Sequence, residues 1–152
     1  IATVYQELSL NPTQTVADNV FLGNEPARAG LKDRAAMIRQ TKELFERLGN
    51  LCSGIDPETL VGDLSIDQRQ IVEIAKALVL NPKVILFDES TSSLDLLQVR
   101  SFFELVRRLK TEGCSIIFIS HRMEEIFEIG DRVTVMRNGR DVQTLDKGSS
   151  TL

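Results

Sequence analysis

The sequence predicts an α/β protein, in which a helical first half leads into strand–helix–strand–helix and a closing hairpin. Three observations carry that expectation. Val84-Ile85-Leu86-Phe87 is a short unbroken apolar run, the pattern of a parallel strand covered on both faces. Ahead of it, residues 65–80 place apolar side chains at helical spacing and stop at Asn81-Pro82. Behind it, Asn138-Gly139 separates two stretches of strand character, a hairpin signal.

The remaining elements follow from the same reasoning. Ile1–Tyr5 reads as a strand, and because Ile1 is not a start methionine the chain is expected to begin inside a domain. Asn11-Pro12 marks a loop, Thr15–Leu22 a helix, and Gly23-Asn24 its end. Leu31, Ala35, Ile38, Phe45 and Leu48 are spaced for the buried stripe of a helix over 31–48, with Gly49-Asn50 as its C-cap. Residues 50–63 look irregular. The helix after them buries Ile71, Ile74, Ala75 and Leu78. A third long helix, from about Asp95 to Thr111, buries Val99, Phe102, Val106 and Leu109. Ser115–Ser120 is a strand, Met123–Ile129 a short helix, and Arg132–Arg137 pairs with Asp141–Leu145 across the hairpin, leaving a frayed tail over 147–152.

Composition narrows the function classes. With 152 residues, 42% hydrophobic and 26% charged, the chain can bury one core. Its net charge of −4 offers no basic footprint for nucleic acid or an anionic membrane surface. No apolar run approaches the roughly 20 residues of a membrane span. The two cysteines, Cys52 and Cys114, lack metal-site spacing and read as reduced thiols.

The chemistry concentrates after the apolar strand. Asp88-Glu89 at its end would stand at the carboxyl edge of a parallel sheet, where open α/β folds bind ligands. One carboxylate can hold hydrated Mg²⁺ while the other accepts a proton from water. Taken alone, the pair reads equally as the start of a solvated loop. Ser65 and Gln68 form an S-x-x-Q capping box, which either only caps a helix or aims its N-terminus at a phosphate. Ser92-Ser93-Leu94-Asp95 follows the acidic pair. His121, the single histidine, closes the next strand at the same edge.

The order Gln6, LSIDQ (64–68), VILFDEST (84–91), SSLD (92–95) and ISHRMEEIFEIGDRVTVMRNGR (119–140) resembles the ATP-binding cassette (ABC) ATPases. It is particularly similar to the fused-cassette subunits of bacterial monosaccharide importers, and the resemblance covers nearly the whole chain. It implies a partial P-loop NTPase core with a mostly parallel sheet: residues 1–6 the strand and Q-loop, 7–82 a helical signature subdomain, 83–152 the Walker B to His-loop part. By resemblance, Gln6 touches Mg²⁺ or the attacking water, Asp88 is the Walker B metal ligand and Glu89 the catalytic base. Ser65 and Gln68 belong to the signature that contacts the γ-phosphate on an opposite cassette, Asp95 is the D-loop aspartate, and His121 the switch histidine. The implied cofactors are ATP and Mg²⁺. The implied partners are a second cassette arranged head-to-tail, a transmembrane permease docked on the helical subdomain and, indirectly, a sugar-binding protein, at the cytoplasmic face of a bacterial membrane. No nucleic acid is expected.

The sequence departs from the family pattern in three places. LSIDQ replaces the two signature glycines with Ile66 and Asp67, which weakens phosphate approach. Ser90 stands where the family has proline, loosening the turn after Glu89. No GxxxxGK[ST] occurs in the 152 residues, so the main phosphate grip is expected from a segment upstream of Gln6 and the chain alone should bind ATP weakly. That absence supports a different class, a non-catalytic dimerisation or permease-docking module. A DNA-repair cassette fits poorly, since the interval before LSIDQ carries no sustained heptads.

Overall fold

The computed structural model describes residues 1–28 and 30–147. Strand β1 (Ala2–Val4) opens the chain, and helix α1 (Val16–Val20) starts at Thr15, whose hydroxyl oxygen accepts from the Asp18 N–H. A two-residue ribbon, β2 (Ala27–Arg28) and β3 (Leu31–Lys32), precedes α2 (Arg34–Leu48). Two 3-10 turns, Gly49–Cys52 and Val61–Asp63, occupy the stretch expected to be irregular. Then follow α3 (Ile66–Leu78), β4 (Val84–Asp88), α4 (Leu96–Thr111), β5 (Ser115–Ile119), α5 (Met123–Ile129), β6 (Arg132–Arg137) and β7 (Arg140–Asp146).

One helix starts later than its periodicity suggested. Leu31 sits in the ribbon, 75% exposed, and α2 begins only after Asp33, whose carboxylate accepts from the Ala36 N–H at 2.9 Å. That cap fixes the phase of the helix. Its buried stripe is Ala36, Met37, Thr41, Leu44, Phe45 and Leu48, while Ala35 faces out. Gly49 ends it at φ 61, a left-handed conformation that glycine adopts at no steric cost. The hairpin turn needs the same freedom twice, at Asn138 (φ 52) and Gly139 (φ 73), as an Asn-Gly turn supplies.

The sheet that matters is β1-β4-β5, parallel throughout. Val4, Ile85 and Phe87 point to one face and are fully buried under α3 and α4. On that face Phe102 of α4 meets Phe87 edge-to-face at 5.0 Å and lies 6.2 Å from Phe118. The other face is only half covered: Val84 and Leu86 are intermediate, and Ile117 and Ile119 of β5 are exposed. The expectation of a strand covered on both faces therefore holds for one face, because α3 and α4 pack on that side. A single apolar core runs from this sheet into the helical half through Ile71, Ile74, Leu51 and Val16.

The two cysteines are free. Burial pushes the Cys52 thiol up to about 12. The hairpin β6-β7 stands apart from the sheet, with Met136 and Val142 exposed. The expected frayed tail lies outside the described residues from 148 on, whereas the Lys147 N–H donates to the Asp131 carbonyl at 2.7 Å.

Phe102 is the side chain on which the packing of α4 against β4 and β5 turns. Phe102→Ala should destabilise the fold by about 3–5 kcal/mol in a denaturant titration; a loss under about 1 kcal/mol would mean that the aromatic cluster is dispensable.

Candidate functional site

Parallel strands end at a common edge, and the residues that follow them emerge side by side. Val4 pairs with Phe87 and Asp88 with Ile119, so Gln6, Asp88-Glu89 and His121 leave the sheet at neighbouring levels. The Glu89 N–H extends the ladder by donating to the Ile119 carbonyl at 3.0 Å. Glu89 then turns left-handed, φ 48, a strained conformation for a side-chain-bearing residue. That bond holds it on one side, and the Ser92 N–H, donating to its carbonyl at 3.1 Å, holds it on the other. Ser90, within this turn, is fully buried.

The turn puts the Glu89 carboxylate between two partners. Its Oε2 accepts from Gln6 Nε2 at 3.3 Å, and its Oε1 lies 3.0 Å from His121 Nδ1. An ionised carboxylate only accepts, so this contact selects the imidazole tautomer with its proton on Nδ1. The ring is otherwise open, its side chain 70% exposed. Three residues far apart in sequence and singled out for one site are thus in direct contact.

Asp88 ends β4 on the sheet's open face, half-buried, and no hydrogen bond or ion pair engages its carboxylate among the described residues. Among those residues no group of three or more His, Cys, Asp or Glu side chains converges on one point. A metal ion here would take Asp88 as a protein ligand and complete its shell with water and ligand oxygens, the sparse coordination that suits Mg²⁺.

Ser65, Gln68 and Asp95 form a separate group. The Ser65 N–H donates to Gln68 Oε1 at 3.1 Å at the start of α3. Asp95 caps α4, its Oδ1 accepting from the Leu97 and Gln98 N–H groups at 2.8 Å each. Gln98 answers twice: its Oε1 accepts from the Asp95 N–H at 2.9 Å, and its Nε2 donates to Asp67 Oδ2 at 2.7 Å. The two helix N-termini are thereby locked together. The Ser65 hydroxyl, and after it the Gln98 amide, hold the Asp67 carboxyl below its ordinary 3.8. No hydrogen bond joins this group to Glu89 among the described residues.

Sequence reasoning missed two residues here. Gln98 had a signal, since Asp95-x-x-Gln98 is a capping box like Ser65-x-x-Gln68. Glu125 had one too: it shares the buried face of α5 with Ile129, four residues on, a core position holding a charge.

Against known proteins, the family described as "ABC transporter" matches residues 1–92, and the chain belongs to that family. Its fold is that of an ATP-binding cassette. The cassette MJ0796, solved as a dimer in a post-hydrolysis state bound to ADP and Pi, superposes at a TM-score of 0.81 over 95% of this chain and 62% of its own, with 22% identity. Among curated proteins, the ribose import ATP-binding protein RbsA 1 of Rubrobacter xylanophilus is 52% identical over 140 residues, 92% of this chain. The arabinose import ATP-binding protein AraG of Pseudomonas savastanoi pv. phaseolicola is 49% identical over 147 residues, 97% of this chain. The chain spans 28% of the length of each of these two relatives. No helix among the described residues is long and apolar enough to cross a membrane.

The Asp67–Gln98 contact has a pH signature. A carboxyl held below its unfolded value of 3.8 contributes stability at pH above 3.8, and that contribution is lost as pH falls through the lower folded value. Carboxyl-carbon NMR of the Gln98→Ala variant should show Asp67 titrating closer to 3.8; an unmoved midpoint would mean that Gln98 does not hold it.

Proposed function

We propose that this chain is part of the ATP-hydrolysing subunit of a carbohydrate importer. The observation that carries the reading is the Glu89 carboxylate held between Gln6 and His121 at the carboxyl edge of the parallel sheet. A carboxylate placed there, with a donor on each oxygen, is arranged to take a proton from an attacking water. Asp88 beside it is free to hold Mg²⁺ through its own oxygen and coordinated water. Gln6 orients the water or the ion, and His121, whose Nδ1 faces the Glu89 carboxylate, serves as the switch histidine near the γ-phosphate. The phosphates themselves would be cradled by a Walker A loop supplied from outside these residues, since the sequence holds no GxxxxGK[ST].

Ser65, Gln68 and Asp95 take the complementary role, meeting the γ-phosphate bound on a second cassette. Their separation from Glu89 supports that division. So does their apolar surround: Ile66, Leu96 and Leu97 are 69%, 82% and 72% exposed at the joined tips of α3 and α4. Exposed side chains of that size beside polar ligand groups suit a surface that another subunit covers. The helical part, residues 7–82, would receive the permease, and hydrolysis at the cytoplasmic face would drive it between its two states. A sugar-binding protein then acts on the same transporter without touching this chain. The names of the ribose and arabinose import relatives support carbohydrate as the cargo.

In the full-length protein, Glu89→Gln should lower kcat for ATP hydrolysis by roughly 10²–10⁴-fold while leaving ATP affinity within a factor of a few. Unchanged turnover would remove Glu89 from the role of base.

A further inference from the structure

His121 depends on its backbone for its position. Its ring is largely exposed and makes one polar contact among the described residues, the 3.0 Å approach to Glu89. Whatever fixes the turn that carries His121 relative to the turn that carries Glu89 therefore fixes the contact.

One buried side chain reaches both turns. Glu125 of α5 is 6% exposed, and its carboxylate accepts three hydrogen bonds. Oε2 accepts from the Thr91 hydroxyl and from the Ser120 hydroxyl, each at 2.8 Å. Oε1 accepts from Arg122 Nη1 at 2.9 Å. Ser120 Oγ in turn accepts from the Arg122 N–H at 3.0 Å, closing a ring around the histidine's own backbone. Thr91, itself buried, stands two residues beyond Glu89, and Ser120 and Arg122 flank His121 on either side.

We propose that Glu125 is a positioning residue for the Glu89–His121 pair. Its carboxylate bolts the turn after β4 to the turn after β5, so that the imidazole meets Glu89 in one tautomer and one place. Charge at this buried position is otherwise hard to account for, because an apolar side chain at the same helix phase would pack α5 without a desolvation cost. The carboxylate is retained where it has three donors to gather, and all three belong to the two turns of the site. The catalytic consequence rests on the hydrolase reading above; the positioning itself does not.

The test uses the fact that His121 is the single histidine of the chain. Imidazole nitrogen NMR of the chain therefore reports this ring alone, with no nucleotide present. The wild type should show the Nδ1–H tautomer selected by Glu89. Glu125→Gln keeps the side-chain volume but replaces one acceptor oxygen with a donor. It should lose that signature and move toward the mixed tautomers of a free imidazole. Thr91→Val removes one arm of the clamp without touching His121, and should move the resonances the same way. Should Glu125→Gln fail to unfold cooperatively, Thr91→Val carries the test by itself. Wild-type resonances in the folded variants would overturn the proposal. In the full-length protein Glu125→Gln should lower kcat for ATP hydrolysis by up to roughly 10²-fold with KM for ATP unchanged; a rise in KM alone would also overturn it. The two readings fail separately: a protein that does not hydrolyse ATP refutes the function, whereas an unmoved tautomer refutes the role of Glu125.

Discussion

The register of three parallel strands decides where everything else in the site can stand. Val4 beside Phe87 and Asp88 beside Ile119 bring residues 83 positions apart, Gln6 and Glu89, within hydrogen-bond reach. A slip of one residue would turn Phe87 outward and bring Leu86 onto α4, so the register is fixed by the aromatic cluster on the covered face. The cost of closing so long a loop grows only slowly with its length, and the helical half between β1 and β4 offsets it with the apolar side chains it adds to the common core. Site and core are for this reason one problem. The face that packs Ile85 and Phe87 under α4 also sets the level at which Glu89 leaves the sheet.

Loops that cross such an edge bring polar groups with them, and buried acids gather those groups in two places. Glu125 gathers the turns after β4 and β5. Glu73 of α3, 3% exposed, does the same for the segment after Gln6. Its Oε1 accepts from the Ser9 hydroxyl at 2.7 Å and its Oε2 from the Ser9 N–H at 3.2 Å. Lys76 on the next turn of α3 adds a bond to the Ser9 carbonyl at 3.2 Å. Asn19 of α1, fully buried, closes the same segment further on, its amide oxygen accepting from the Asn11 N–H at 2.7 Å and its amide nitrogen donating to the Asn11 carbonyl at 3.0 Å. Without these bonds the buried Glu73 carboxylate and Asn19 amide would be left unpaired, and an unpaired buried polar group costs about 1–3 kcal/mol, more for a charged one. The helical half is thus tied to the strand edge by hydrogen bonds that break only at a penalty.

Much of this was legible in the residues before the coordinates. The unbroken apolar run ahead of Asp88 fixed strand, edge and acid together, and two of the three long helices carried their own stop, in Gly49 and in Asn81-Pro82. What stayed hidden depended on tertiary partners. The onset of α2 hinged on Asp33 as a cap, a local signal outweighed in the sequence by the matching spacing of Leu31 and Ala35. The exposure of Ile117 and Ile119 has no counterpart in composition, since an apolar strand reads alike whether one face or two are covered. Glu73 looks like an ordinary surface charge until its donor, Ser9, 64 residues away, is in place.

The joined tips of α3 and α4 show how a departure from the family pattern is absorbed. On the proposed reading an anion approaches the N-terminus of α3, and there it meets Asp67 instead of glycine. Two like charges about 4 Å apart in water repel by about 1 kcal/mol, whereas the dipole of a helix N-terminus returns about 0.3–1 kcal/mol to an anion. The two terms nearly cancel, so the helix end alone would lose most of its pull on a phosphate. Gln98 changes the balance by geometry more than by charge. Its amide holds one Asp67 oxygen toward α4, and the Ser65 hydroxyl engages the same carboxylate. The carboxylate is thereby occupied in tying two helices together. An acid that would otherwise oppose a ligand instead fixes the relative position of Ser65, Gln68 and Asp95, the three groups that a bound phosphate on a second cassette would have to meet at once.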